Sequence, residues 1–178
     1  KMEVERSSPP EAGFLEAIRE LCDRRSIVLI FDECTSGFRE TQGGIHLKYS
    51  IDPDMSIFGK ALGNGYAITA VIGKRNIMEA AQSTFISSTF WTERIGPTAS
   101  LKTLEIMERE KSWDLITETG KYIRNGWNEI ARKYNLNLDL FGIPALSGFT
   151  INSNNWLKYK TFITQEMLKQ GYLAANTC

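Results

Sequence analysis

Ile27-Val28-Leu29-Ile30-Phe31-Asp32-Glu33 is the stretch on which the fold turns: an unbroken apolar, partly β-branched run stopped by two carboxylates. Such a run, too short for a helix of its own and without polar alternation, predicts a strand buried on both faces of a parallel sheet. Upstream, Phe14, Ala17, Ile18, Leu21 and Cys22 recur at three-and-four spacing, which predicts a helix over residues 11–24 with that face buried. Downstream, a loop rich in Gly and Thr runs to Ser50, Asp52-Pro53-Asp54 marks a turn, and residues 55–58 form the next short strand. Residues 67–73 read as a further strand and 75–82 as a short helix. Pro97 suits the first turn of a long helix reaching Arg109. This alternation is α/β.

The last third has another rhythm. Trp113, Ile116, Gly120, Ile123, Trp127, Ile130 and Tyr134 keep helical spacing, and the Trp113, Trp127 and Tyr134 stripe is expected to be core. Two strand-like segments, 136–141 and 145–152, and a helix over 156–170 complete a small α+β unit. The division is expected near residue 111, giving domains 1–111 and 112–178.

The 178 residues carry 21 Lys+Arg against 21 Asp+Glu. With zero net charge and no local basic patch, neither nucleic acid nor an anionic membrane surface is an expected partner. No apolar run approaches the ~20 residues that cross a bilayer. Cys22, Cys34 and Cys178 fit neither a zinc site nor a disulfide framework, which points to a reducing compartment, the cytoplasm by default. Residues 1–11 read as the tail of a preceding element and 171–178 as the start of a strand, so a fragment of a longer protein is expected.

The chemistry concentrates between residues 32 and 93. Open α/β sheets bind ligands outside the carboxyl ends of their strands, and Asp32 stands at one such end. Lys60, in Phe58-Gly-Lys-Ala-Leu-Gly-Asn-Gly65, stands at the end of the next strand-like run, bounded by glycines that let the backbone turn tightly. An acid for a ring nitrogen and an amine for an imine is the pairing that pyridoxal phosphate requires. A carboxylate at this place is otherwise a turn cap.

Five separate elements agree in order and spacing: Leu29-Ile-Phe-Asp-Glu33, Gly37-Phe38-Arg39, Asp52-Pro-Asp54, Gly59-Lys60-Ala-Leu-Gly-Asn-Gly65 and Thr89-Phe90. Together they resemble the class III aminotransferases, most closely the glutamate-1-semialdehyde aminomutase branch. The resemblance implies a fold-type I large domain with a mostly parallel sheet followed by a small α+β C-terminal domain. It implies pyridoxal 5'-phosphate as cofactor, a small-molecule amino donor and acceptor, Asp32 as partner of the pyridine nitrogen, and Lys60 as the imine lysine. Thr89 is then the threonine that reaches the cofactor phosphate of the neighbouring subunit, which makes a homodimer with shared active sites the functional unit. The cofactor's own phosphate loop and ring-stacking aromatic belong, by the same resemblance, to an N-terminal portion absent from these residues, so this piece alone is expected to bind cofactor poorly. The chain departs from the family at Asn64, at Ala67 and across Trp91-Thr-Glu-Arg-Ile-Gly-Pro97, a stretch that helps line the substrate pocket.

An apolar strand ending in Asp-Glu is also the second nucleotide-binding motif of phosphate-loop ATPases, where the pair handles magnesium. That reading requires a Gly-x-x-x-x-Gly-Lys-Ser/Thr loop, which these residues lack. A non-catalytic assembly fragment is the other alternative. Glu33 is expected to orient neighbouring backbone, Arg39 to form a structural salt bridge, and His46, the single histidine, to lie in a loop without a metal.

Overall fold

The computed structural model describes residues 9–177. The expectation for residues 1–8, and that for Cys178, lie outside the described residues. Two compact units divide the chain, one spanning Pro10–Asp114 and the other holding residues 115–177.

The first unit opens with helix α1 (Phe14–Arg25), closed by Ser26 in the left-handed region at φ 52°. Arg24 and Arg25 in its last turn complement the negative end of the helix dipole. Strand β1 (Ile30–Asp32) pairs parallel with β2 (Met55–Phe58), and β3 (Ala70–Gly73) runs antiparallel on the other side of β2. The sheet is thus mixed, and the pair that carries the predicted site is the parallel one.

β1 begins later than the apolar run suggests. The Ile27 amide turns back to the Cys22 carbonyl at 2.9 Å, and the Leu29 carbonyl accepts from the Asp54 and Met55 amides, so the ladder starts at Ile30. Burial on both faces is not what the structure shows, for Ile27, Val28 and Ile30 are 52%, 42% and 48% exposed. β1 is the edge of a three-stranded sheet, and burial of its faces depends on the elements laid over that sheet, which the apolar run itself does not specify. The α1 stripe is likewise only partly covered. Cys22 is buried, but Phe14, Ala17 and Leu21 are exposed.

Asp54 holds this corner together. Its Oδ2 accepts from the Leu29 amide at 2.8 Å and from Arg19 Nη1 of α1 at 3.0 Å, while its Oδ1 accepts from Lys74 Nζ, just past β3, at 2.9 Å. Those bonds, the Leu29 amide first and Lys74 next, hold its carboxyl down to about pH 2.

The core of the unit is Phe38, Phe58, Leu62 and Met107, with Ile68, Leu104 and Trp113 packed around it. Phe38 and Phe58 rings sit 5.2 Å apart. Residue 37 must be glycine, since a Cβ there would fall 2.7 Å from the Glu33 carbonyl oxygen and 2.8 Å from the Phe58 ring. After the short helix α2 (Arg75–Met78), α3 (Ile95–Glu110) starts two residues before Pro97. The Glu93 carboxylate accounts for this, accepting from the Ile95 amide and, at 3.0 Å, from that of Gly96.

In the second unit, α4 (Ser112–Lys133) precedes the antiparallel pair β4 (Leu138–Phe141) and β5 (Gly148–Ile151), and α5 (Trp156–Lys169) follows. Phe149 is its centre, with Trp127 at 4.9 Å and Trp156 at 6.1 Å between ring centroids. The aromatic stripe of α4 is not a single core. Trp113 belongs to the first unit's cluster, and Tyr134 is 62% exposed with Lys133 over its ring. The division between the units falls within this helix, between Asp114 and Leu115, so Trp113 counts with the first unit. Near the end of the chain, buried Asn176 exchanges hydrogen bonds with both backbone groups of Phe149, and Thr177 bridges Gly148.

Candidate active site

Asp32 ends β1 opposite Ile57 of β2, and the Glu33 amide donates to the Ile57 carbonyl at 2.8 Å. β2 then finishes at Phe58, Gly59 is extended, and Lys60 begins a tight turn. Because the strands are parallel, Asp32 and Lys60 leave the sheet at the same edge, both exposed. Parallel pairing converts two distant sequence positions into one surface.

Lys60 has φ 44°, in the left-handed region that costs a residue with a Cβ about 1–3 kcal/mol. The turn around it compensates. The Gly63 and Asn64 amides donate to the Lys60 carbonyl at 3.2 and 3.1 Å, and Leu62, Ala61 and Phe58 anchor the turn in the core. The backbone is thereby fixed while the side chain reaches outward, where Nζ donates to Thr35 Oγ1.

Asp32 Oδ1 accepts from the Cys34 amide at 3.0 Å. The cap reading is therefore satisfied by one oxygen, and among the described residues no hydrogen bond occupies the other.

Glu33 turns the other way and is 1% exposed. Its Oε2 accepts from Ser36 Oγ at 2.5 Å, and its Oε1 accepts from both the backbone amide and Nδ1 of His46, at 3.1 and 2.9 Å. Glu33 thus pins the loop after β1, the orienting role expected of it, and His46 donates from Nδ1 to a carboxylate. No sequence pattern signals that pair, since the partners lie far apart along an irregular loop. The same holds for Thr35 and Lys60.

Arg39 does not form the expected salt bridge among the described residues. Its Nε donates to the Thr35 carbonyl at 3.4 Å, and partial burial without a carboxylate lowers its pKa. The loop carries Glu40 toward Lys48 instead, at 2.6 Å. No group of His, Cys, Asp and Glu suited to a metal ion occurs among the described residues.

Thr89 is not joined to Asp32 or Lys60 by any hydrogen bond. It lies in a stretch, residues 82–92, that is exposed throughout, with Phe85 94% and Trp91 70% exposed. No helix is long and apolar enough to cross a membrane among the described residues.

The arrangement of chain and sheet is that of the pyridoxal-phosphate-dependent fold-type I transaminases. The Sphingopyxis sp. MTA144 FumI protein, solved in its internal aldimine form, superimposes with a TM-score of 0.89 over 99% of this chain and 43% of that one, at 23% identity. Acetylornithine aminotransferase from Elizabethkingia anophelis does so with a TM-score of 0.78 over 93% and 42%, at 25% identity. The class III aminotransferase family model matches residues 7–177, and the chain belongs to that family. Curated relatives include 3-aminobutyryl-CoA aminotransferase of Cloacimonas acidaminovorans, 36% identical over 88% of this chain, and glutamate-1-semialdehyde 2,1-aminomutase of Chlorobium limicola, 33% identical over 92%. The chain spans 38% of the length of each. Nothing in these likenesses supports the phosphate-loop ATPase alternative.

Proposed function

We propose that the protein to which this chain belongs moves an amino group between or within small molecules using pyridoxal 5'-phosphate. The observation that carries the reading is the common edge of β1 and β2, where Asp32 and a left-handed Lys60 emerge together. The residues present fit the cofactor: an outward amine on a rigid turn, and a carboxylate with one oxygen uncommitted. Bound there, the cofactor supplies an electron sink for a substrate that has lost its α proton.

Lys60 is the covalent anchor. Its amine, tethered to the rigid turn, would move the substrate proton as a general acid and base. Asp32 is the carboxylate that would partner the ring nitrogen and keep it protonated. Thr89 donates a hydrogen bond to the phosphate held by the partner subunit of a homodimer, and the apolar exposure of Phe85, Ile86, Phe90 and Trp91 around it suits a surface covered by a second copy. Residues 1–111 then form the C-terminal half of the cofactor-binding domain and 112–178 part of the small domain. The names of the curated relatives favour an amino acid or aminoacyl substrate, by transfer or by internal migration. Cysteine usage favours the cytoplasm.

Borohydride reduction of the full-length protein with bound cofactor, followed by peptide mass mapping, tests the reading. The pyridoxyl group is expected on Lys60; finding it on Lys48, Lys74 or Lys102 would overturn the assignment.

A further inference from the structure

We propose that Thr35 is a positioning residue for the Lys60 amine, holding it over the sheet edge beside Asp32 whenever it is not covalently engaged. The proposal rests on the reading of Lys60 as the cofactor lysine and goes beyond it by assigning a second side chain to the amine. Thr35 Oγ1 accepts a hydrogen bond from Lys60 Nζ, joining two residues on loops that follow different strands. Lysine is otherwise a long, exposed chain with four rotatable bonds, and nothing else among the described residues hydrogen-bonds its amine.

What makes Thr35 a suitable rest is that its own position is over-determined. Before it, the Cys34 amide is fixed to Asp32 Oδ1 at 3.0 Å. After it, Ser36 Oγ donates to the buried Glu33 carboxylate at 2.5 Å, and the Gly37 amide donates to the Glu33 carbonyl at 2.8 Å. Its own carbonyl accepts from Arg39 Nε. On the other side, the Lys60 backbone is locked by its left-handed turn. The hydroxyl therefore connects two rigid supports and leaves the lysine side chain little freedom. Through Cys34 it also sets the amine at a defined place relative to the Asp32 carboxylate.

The consequence is kinetic. To capture the cofactor, the Lys60 ammonium would first release one proton to solvent, and its freed lone pair would form a C–N bond to the aldehyde carbon. As that bond became C=N, the two remaining N–H protons would leave with the former carbonyl oxygen as water. An amine already held at the sheet edge reaches that carbon more often than one sampling every rotamer, which is the advantage of orientation.

The experiment adds pyridoxal 5'-phosphate to cofactor-free, full-length protein and follows the visible absorption of the lysine adduct in wild type, Thr35→Val and Thr35→Ser. Borohydride trapping and peptide mapping accompany each. Thr35→Val keeps the volume and is expected to slow capture about tenfold, the scale of one lost hydrogen bond to a charged donor, with the adduct still on Lys60. Thr35→Ser restores the hydroxyl and is expected to restore the rate. Thermal unfolding is measured on all three, because a purely structural threonine would shift the midpoint rather than the capture rate, and serine would not rescue it. If valine disturbs the loop, Thr35→Ala removes the hydroxyl without a branched side chain and makes the same comparison. Capture at the wild-type rate in the hydroxyl-free variants, with the adduct on Lys60, would overturn the proposal and leave the cofactor reading standing. An adduct on another lysine in wild type would overturn both.

Discussion

The buried Glu33 carboxylate accepts from both the backbone amide and the Nδ1 of His46, at 3.1 and 2.9 Å, so a single acid closes the loop that follows the first strand of the site. Glu33→Ala strands the His46 amide and ring nitrogen and the Ser36 hydroxyl, each deprived of a charged acceptor. The expected loss is on the order of 3 kcal/mol of stability, because unsatisfied buried donors cost more than the bonds they once made. Denaturant unfolding of the full-length variant measures it, and an unchanged midpoint would refute the closing role.

Asp32→Asn keeps the shape and the cap on the Cys34 amide but removes the charge. Cofactor capture on Lys60 is expected to persist, while amino transfer falls at least about a hundredfold, the scale of a lost electrostatic partner in an active site. Turnover close to wild type would reduce Asp32 to a cap.

Thr89→Val is expected to loosen cofactor binding by ~1.5–3 kcal/mol, ten- to a hundredfold, without unfolding the chain. The partner-subunit role has its own measurement. Mixing Lys60→Ala with Thr89→Val subunits puts both lesions in one site of the heterodimer and leaves the other intact. Activity is expected to return to a fraction of wild type, whereas a threonine serving its own subunit leaves the mixture no better than its parents.

Asp54 links stability to acid. Its folded pKa is lowered from 3.8 to about 2, so its contribution is complete above the unfolded value and is lost as pH falls through the folded one. With Lys74 half exposed, solvent screening reduces that contribution to roughly 1–2 kcal/mol. Asp54→Asn is expected to be less stable than wild type at neutral pH, with the gap closing between pH 4 and pH 2. Thermal unfolding across that range checks it, and a gap independent of pH would assign the effect to packing alone.

Much of this protein was legible in one dimension. The helices and the order of strands follow from apolar spacing, because side-chain period reports local backbone geometry directly. The candidates Asp32 and Lys60 follow from residue type at the ends of such runs, supported by the resemblance of five short elements to one family. Burial was less legible. The run 27–31 reads as doubly covered, yet its exposure depends on how many strands and helices flank it. Trp113 and Trp127 share one periodic stripe, yet pack in different units. What only tertiary structure decided are the partners: Thr35 under the Lys60 amine, Glu33 beneath His46, and Asp54 between α1, Leu29 and Lys74. Those pairs are separated by 13 to 35 residues along the chain. Their meeting is set by parallel strand register and loop closure, neither of which leaves a periodic trace in the sequence, because a hydrogen bond across such a span depends on where the intervening chain is held rather than on the residues beside it.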